Sequence, residues 1–370
     1  MPALWLLVLL HLYIGWRIAP NLPGPLASAA LVVLLVLSAL LIPAAIWGRR
    51  ARHRAAADRW TWAGMVALGG FSMLLSLTLM RDLLLLLAWP FALPPLQSST
   101  AAAVPLLALA SLLYGVFAAR RTASVRQVDV PIAGLPPALQ GFTIVQISDI
   151  HVGPTVKKPY VQGIVDAVNG LHADAVAITG DLVDGRVADL QPDVAPLADL
   201  RSRHGTFFVT GNHEYYSGVD EWMAALRSLG LRVLLNEHVV LEHNGARLVM
   251  AGVADHGAGH FDSSHRSDPQ RALAGAPGDV GLRVLLAHQP RSAPAAAEAG
   301  FDVQLSGHTH GGQFWPWTLL VRLQQPFTAG LHRVRALWVY TSRGTGYWGP
   351  PVRLGAPSEI TRLRFIAAPA

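Results

Sequence analysis

"LSGHTHGGQ", residues 305–313, sets two histidines one residue apart among glycines, at the end of an apolar run. In an extended chain residues i and i+2 point the same way. His308 and His310 are therefore expected to face a common guest, with Gly307, Gly311 and Gly312 permitting tight turns around it. The spacing recurs in "SDIH", where Asp149 and His151 make a second pincer. More polar residues close other apolar runs: Asp181 and Asp184 in "GDLVD", Asn212, His213 and Glu214 in "GNHE", and His288 in "AHQP".

Those runs are of strand length. "FTIVQISDIH", "ADAVAITGD", "GTFFVTGNHE", "ARLVMAGVAD", "LRVLLAHQP" and "FDVQLSGHTH" alternate with the helical patterns "KKPYVQGIVDAVNGL", "GVDEWMAALRSLG" and "RSAPAAAEAG". Such alternation predicts an α/β domain with buried strands. Ligands in these sheets gather at the carboxyl ends of strands, where every one of the polar residues above falls.

Four histidines, two carboxylates and an amide oxygen form a donor set for divalent metal. This much imidazole favours Mn, Fe, Zn or Co, since Mg and Ca prefer all-oxygen shells. Seven side chains are too many for one ion and suit two, with one carboxylate shared. The chain has no cysteine, which excludes disulfides, thiolate metal sites and a cysteine nucleophile.

The chain is 52% hydrophobic over 370 residues, and the excess is concentrated in residues 1–119. Four apolar stretches lie there, the first of them the shortest; a bilayer core asks for roughly 20 apolar residues per helix. The first stretch is a poor signal peptide, because no Lys or Arg precedes it and no small-residue cleavage site follows. We expect a multi-pass membrane domain of about four helices, a basic linker and first strand over residues 120–141, and the site-bearing domain over residues 142–370. Arg49, Arg50, Arg52, Arg54 and Arg59 form one basic cluster, and Arg120, Arg121 and Arg126 another. With four spans the positive-inside rule puts both clusters, and the domain after them, on the cytoplasmic side of the inner membrane. The Arg81-Asp82 pair complicates this count, because a separate crossing by "LLLLLAWPFALPP" would reverse the side. The formal charge of +6 comes largely from these flanks and reads as contact with membrane lipids, not with nucleic acid.

The ordered set DxH, GDxxD, GNHE, H and GHTHGGQ resembles the calcineurin-like metallophosphoesterase family over roughly residues 127–365. No motif position deviates. With the closing "SRGTGYWGPPVRLGAPSEITRLRF", it looks like the branch of membrane-attached bacterial phosphoesterases, some of which hydrolyse UDP-2,3-diacylglucosamine in lipid A synthesis. The resemblance implies a four-layer α/β/β/α sandwich and two divalent ions, with Mn, Fe or Zn favoured. It implies that Asp149, His151 and His310 hold the first ion, that Asn212, His288 and His308 hold the second, and that Asp181 bridges. His213 would face the substrate as electrostatic stabiliser or general acid, oriented by Asp184.

The electrostatics agree. Two divalent ions bring four positive charges, the ligating carboxylates Asp149 and Asp181 return two, and a bridging hydroxide one. The remaining positive charge suits a phosphoryl group, and a metal-activated hydroxide would attack in line. A phosphodiester or pyrophosphate is the expected bond, a UDP-diacylglucosamine pyrophosphatase one form of it. A metal-binding membrane sensor or scaffold is the alternative of another class, but it would dispense with His213 and Asp184. A transporter would need more ionisable residues within its spans than these. Glu214 reads as a turn or supporting residue; Asp255 and His256 read equally as a border of the site or as loop. Lys157, Lys158 and Arg186 read as solvated. The segment "FWPWTLLVRLQQPF", residues 314–327, would give an apolar lip beside the centre and suit a lipid-linked ester.

Overall fold

The computed structural model describes residues 2–48, 54–91 and 95–368. Arg49, Arg50 and Arg52 lie outside the described residues. The chain divides into two compact units, residues 1–120 with 349–354, and residues 121–348 with 355–370.

The first unit is built on four helices: α1 (Pro2–Ile18), α2 (Pro25–Gly48), α3 (Arg54–Ala88) and α4 (Pro95–Arg120). All four are long and apolar enough to cross a membrane. "LLLLLAW" makes no separate crossing, because it continues α3 without a break. The charges of Arg81 and Asp82 are answered inside the unit. Asp82 accepts from Arg17 Nε and Nη2 at 2.8 Å each and from Tyr13 Oη at 2.5 Å. Arg81 donates to Thr100 Oγ1 at 3.0 Å and to the Gln97 carbonyl at 2.9 Å. Polar groups within an apolar slab are kept only with such partners. Residues 349–354 belong to this unit: a Cβ on Gly115 would overlap Val352, and Arg353 N–H donates to the Gly115 carbonyl at 2.9 Å.

The second unit holds two six-stranded sheets. In the first, β1 (Ser124–Ile132), β2 (Thr143–Ile147), β3 (Ala175–Ile178), β4 (Thr206–Phe208) and β5 (Arg232–Val233) join the last strand, β12 (Glu359–Ala367), in the order β1-β12-β2-β3-β4-β5. In the second, β6 (Glu237–His243), β7 (Ala246–Gly252), β8 (Leu282–Leu286), β9 (Val303–Ser306), β10 (Gly330–Val334) and β11 (Leu337–Thr341) run in the order β10-β11-β9-β8-β7-β6. β1 is an edge strand, which is why it tolerates Pro131 with no N–H to give.

One apolar cluster fills the space between the sheets, with Ile144, Ala177, Phe207 and Phe365 from the first and Met250, Val284 and Leu305 from the second. Helices cover the outer faces. α5 (Lys158–Asn169) buries Val161, Ile164, Val165 and Val168, the stripe that a 3.6-residue period dictates. α9 (Pro269–Leu273) and α10 (Ala293–Ala299) lay Ala272, Ala293 and Ala296 against Val249, Leu285 and Val339. The expected α/β/β/α layering is what forms. Three shorter helices complete the unit near the site: α6 (Val187–Val194), α7 (Asn212–Ser217) and α8 (Val219–Ser228). A last one, α11 (Trp317–Leu320), follows β9.

Candidate metal centre

Five strand ends converge. β2, β3 and β4 of the first sheet lead into Asp149 and His151, Asp181 and Asp184, and Asn212 and His213. β8 and β9 of the second lead into His288 and into His308 with His310. All nine residues singled out as site candidates meet at this end of the sandwich.

They do not meet by strand alternation. The backbone turns left-handed at Asp149 and His151 (φ +54° each), Asp181 (+52°), His308 (+70°) and His310 (+51°). Non-glycine residues hold that region at a cost of order 1–3 kcal/mol each. The expected extended pincers are thus replaced by tight turns, and the two histidines of "GHTH" serve different clusters. Asp149, His151 and His310 form one close-set group, and Asp181, His288 and His308 another. Gly307 allows the approach, since a Cβ there would overlap Ser148 Oγ and Asp149 Oδ2.

The distances carry the chemistry. His151 Nε2 lies 3.1 Å from His310 Nε2, and His308 Nδ1 lies 3.2 Å from His288 Nε2. The outer nitrogens are already engaged as donors: His151 Nδ1 to Asp184 Oδ1 at 3.0 Å, and His288 Nδ1 to the Thr179 carbonyl at 2.7 Å. The Gln325 amide oxygen, turned to face its donors, accepts from His308 Nε2 at 3.2 Å and from Arg291 Nη2 at 3.0 Å. These contacts leave the remaining ring nitrogens of His151, His288 and His308 turned into the centre. Two ring nitrogens 3.1–3.2 Å apart need a proton or a metal cation between them. Two imidazoles bound to one ion at 2.0–2.1 Å would stand roughly 3–3.4 Å apart.

Asp181 lies between the groups, with Oδ2 3.1 Å from His288 Nε2 and 3.9 Å from His151 Nε2. Asn212 Oδ1 is buried with no hydrogen-bond partner, a cost of about 1–3 kcal/mol that a bound cation would remove. The residues present therefore fit divalent metal.

Burial raises Asp149 above the ordinary carboxylate range. Burial also opposes charge on Asp181, but the neighbouring His288, His213 and His151 outweigh it and hold it well below that range. Burial and the His288 charge press His308 down to about 3, a neutral imidazole ready to ligate. Beside the metal groups, His213 Nδ1 meets Asp184 Oδ1 at 2.6 Å. Burial disfavours its charge, yet the Asp184 hydrogen bond and the Asp181 and Asp184 carboxylates push it up to about 9. Trp348 and Tyr216 set their rings edge-on to it, with centroids at 5.6 and 5.3 Å.

Two supports were under-read or missed in the sequence. Glu214 is fully buried and accepts from the N–H groups of Gly211 (2.6 Å), Asp181 (3.0 Å), Leu182 (2.7 Å) and Val183 (3.3 Å), tying the β3 turn to α7. Gln325 was noticed only as part of an apolar segment; the doubled Gln in "RLQQPF" was its one signal. Asp255 is buried and accepts from Gln289 Nε2 at 2.9 Å, next to His288. Lys157 pairs with Asp193 at 3.7 Å, and Lys158 and Arg186 stand at the starts of α5 and α6, outside the close-set groups.

Residues 142–312 match the family described as Calcineurin-like phosphoesterase. An uncharacterized metallophosphoesterase of Aquifex aeolicus is 33% identical over 238 residues, covering 64% of this chain and 89% of that protein. The chain belongs to the calcineurin-like phosphoesterase family. A "transmembrane protein with metallophosphoesterase domain" of Bos taurus is 44% identical over 269 residues, 70% of this chain. An uncharacterized metallophosphoesterase of Helicobacter pylori is 40% identical over 225 residues, 60% of this chain. The match spans 60% of the bovine protein's length and 59% of the Helicobacter protein's. The likeness therefore extends beyond a bacterial branch. Membership brings divalent metal with it, and the donor geometry above accommodates it.

Gln325→Leu removes the acceptor that fixes the His308 tautomer. Supporting partners of this kind are worth about 10–100-fold in metal affinity. Titration of the metal-stripped protein with Mn²⁺ should show metal binding weakened by that factor, whereas Gln325→Glu, which keeps an acceptor, should remain near the parent.

Proposed function

We propose that the chain is a membrane-anchored, two-metal phosphoric ester hydrolase. The observation that carries this reading is the close approach of two imidazole nitrogens at each of two clusters, 3.1 and 3.2 Å, with Asp181 between them. In this reading Asp149, His151 and His310 hold one ion, Asn212, His288 and His308 hold the other, and Asp181 bridges. Two bound divalent ions supply an activated water and offset the charge of the phosphoryl group.

The remaining steps belong to the chain. Asp184 holds His213 Nδ1, so that Nε2 is the end left to meet the substrate. The proton on His213, kept there by the carboxylates, is available to the departing oxygen, a contribution typically of 10²–10⁴-fold. Trp348 and Tyr216 keep the ring in that orientation. The expected substrate bond is a phosphodiester or pyrophosphate, and Mn, Fe or Zn the expected metal.

The continuity of α3 supports an even number of spans. The described arginines Arg54 and Arg59, together with Arg120, Arg121 and Arg126, then favour the cytoplasmic side of the inner membrane for the second unit. A lipid-linked ester is supported by one further observation: Trp317, Leu319, Leu320 and Leu323 of the segment after β9 are exposed, Leu323 by 84%. UDP-2,3-diacylglucosamine is a member of that class.

Full-length protein in detergent should hydrolyse bis(p-nitrophenyl) phosphate with Mn²⁺ and lose activity with chelator or in Asp181→Ala. In His213→Ala turnover should fall 10²–10⁴-fold while two ions remain bound. Retention of full turnover in Asp181→Ala would defeat the two-metal reading. The native chain has no cysteine, so Glu242→Cys gives a single label site. It should resist a membrane-impermeant maleimide in intact cells from which the outer barrier has been removed, and react after lysis. Replacing Trp315 and Trp317 with Ser should impair a lipid-linked substrate while sparing the chromogenic diester; equal loss on both would remove the lipid argument.

A further inference from the structure

Gln313 closes the "GHTHGGQ" loop in a conformation that costs energy. Its φ of +56° and ψ of −54°, with Phe314 N–H donating to the Gly312 carbonyl at 2.6 Å, make a γ-turn of the rare, strained form. Strain of this kind persists only where the surroundings over-determine it, and it gathers at functional sites. The side chain shows what the turn secures. Gln313 is buried, and its amide meets both backbone groups of one residue. Oε1 accepts from Trp348 N–H at 2.8 Å, and Nε2 donates to the Trp348 carbonyl at 2.9 Å. This is the two-bond exchange of an antiparallel strand pair, made here by a side chain.

The residues before Trp348 are held as firmly. Tyr347 is buried and donates to the Thr155 carbonyl at 2.9 Å. A Cβ on Gly346 would overlap the Ile150 backbone. What this frame presents is an indole that is 54% exposed although its backbone is pinned. Its ring stands at 75° to the His213 imidazole, with centroids 5.6 Å apart, a preferred edge-to-face arrangement. Tyr216 and His151 stand edge-on to the same imidazole at 5.3 and 4.6 Å. His151 is itself tied to Asp184, and Tyr216 rides on α7 with His213. Trp348 is the wall that comes from elsewhere in the chain. Its place decides how far the imidazole can swing about the single hydrogen bond from Nδ1 to Asp184.

Resting on the hydrolase reading above, we propose that Gln313 is a positioning residue for the His213 proton donor and acts through Trp348. As the P–O bond to the leaving group breaks, the departing oxygen takes the electron pair and the proton from His213 Nε2. The attacking water forms the new P–O bond and releases a proton, which balances the one lost by His213. Gln313 touches neither partner of that transfer. It holds the indole that keeps Nε2 in line with the departing oxygen, where misplacement by an ångström costs of order 10²-fold.

The test is steady-state kinetics of the full-length protein in detergent with Mn²⁺, on methyl p-nitrophenyl phosphate and methyl phenyl phosphate. p-Nitrophenolate is stable enough to leave without a proton. Phenolate, as basic as a tyrosine side chain with its pKa of about 10, gains from one. Gln313→Ala should lower kcat on the phenyl ester about 10–100-fold and leave the p-nitrophenyl ester near the parent value, with KM and bound metal unaltered. Trp348→Ala should reproduce that split, and Trp348→Phe, which keeps a ring, should recover most of the loss. The double variant should be no worse than Trp348→Ala alone, because the two act as one unit. An unchanged Gln313→Ala, an equal loss on both esters, a loss of bound metal, or additive losses in the double variant overturns the proposal. So does a parent that cleaves the p-nitrophenyl ester alone, and in that case the hydrolase reading stands. A parent that cleaves neither overturns both.

Discussion

Buried ring nitrogens 3.1–3.2 Å apart need a proton or a metal cation between them, and this end of the sandwich is organised around that fact. Three imidazoles have their outer nitrogens committed to a carboxylate, a carbonyl and an amide oxygen, so their inner nitrogens are the ones turned to the centre. Asp149, Asp181 and the unpartnered Asn212 oxygen add further acceptors in the same space. Without a cation the arrangement is costly; protons on His288 offset part of the Asp181 charge. Divalent metal would displace such protons, which is why sites of this kind bind metal more tightly as pH rises.

The surrounding fold stores the strain needed to hold that arrangement. Five left-handed backbone positions cluster where the strands end, and each is locked by bonds from elsewhere. Asp149 N–H donates to the Gly180 carbonyl at 3.0 Å, and Gly346 N–H to the Asp149 carbonyl at 3.1 Å. His151 N–H donates to the Asp181 carbonyl at 3.2 Å. Glu214 gathers four N–H groups from two loops, and burial together with the Asp181 charge pushes its carboxyl up to about 7. Its hydrogen bonds fix the Asp181 turn to the start of α7, so Asp181 and Asn212 move as one piece. The apolar cluster between the sheets supplies the rigidity on which this rests.

The layer order was legible because the strands are short, apolar and closed by polar residues, and because α5 carries a clean helical stripe. The metal-ligand candidates were legible for the same reason: each follows a strand, and the order of motifs matches a known family. The backbone route was not legible, since the i, i+2 spacing of Asp149 with His151 suggests an extended pair and the chain instead turns left-handed. The division of labour between His308 and His310, one residue apart yet in different clusters, came from the family resemblance and not from their spacing, which suggests a common guest. Supporting residues stayed hidden because they are distant in sequence and chemically ordinary. Gln325 lies seventeen residues after His308 in a segment whose hydrophobicity draws the eye, and residues 349–354 carry no mark of their place among α3 and α4.

The apolar segment, Arg291 and His308 meet at one amide, that of Gln325. Gln325 is buried, while Leu323, two residues earlier, is almost fully exposed. Any ligand that draws Trp317, Leu320 and Leu323 into an apolar surface also loads the peptide that positions His308 and Arg291. The hydrogen bonds from Arg291 and His308 to Gln325 therefore couple that segment to the geometry of the metal centre. A rigid amide bridge transmits such a displacement, because His308 has no second acceptor within the described contacts to hold its Nε2–H.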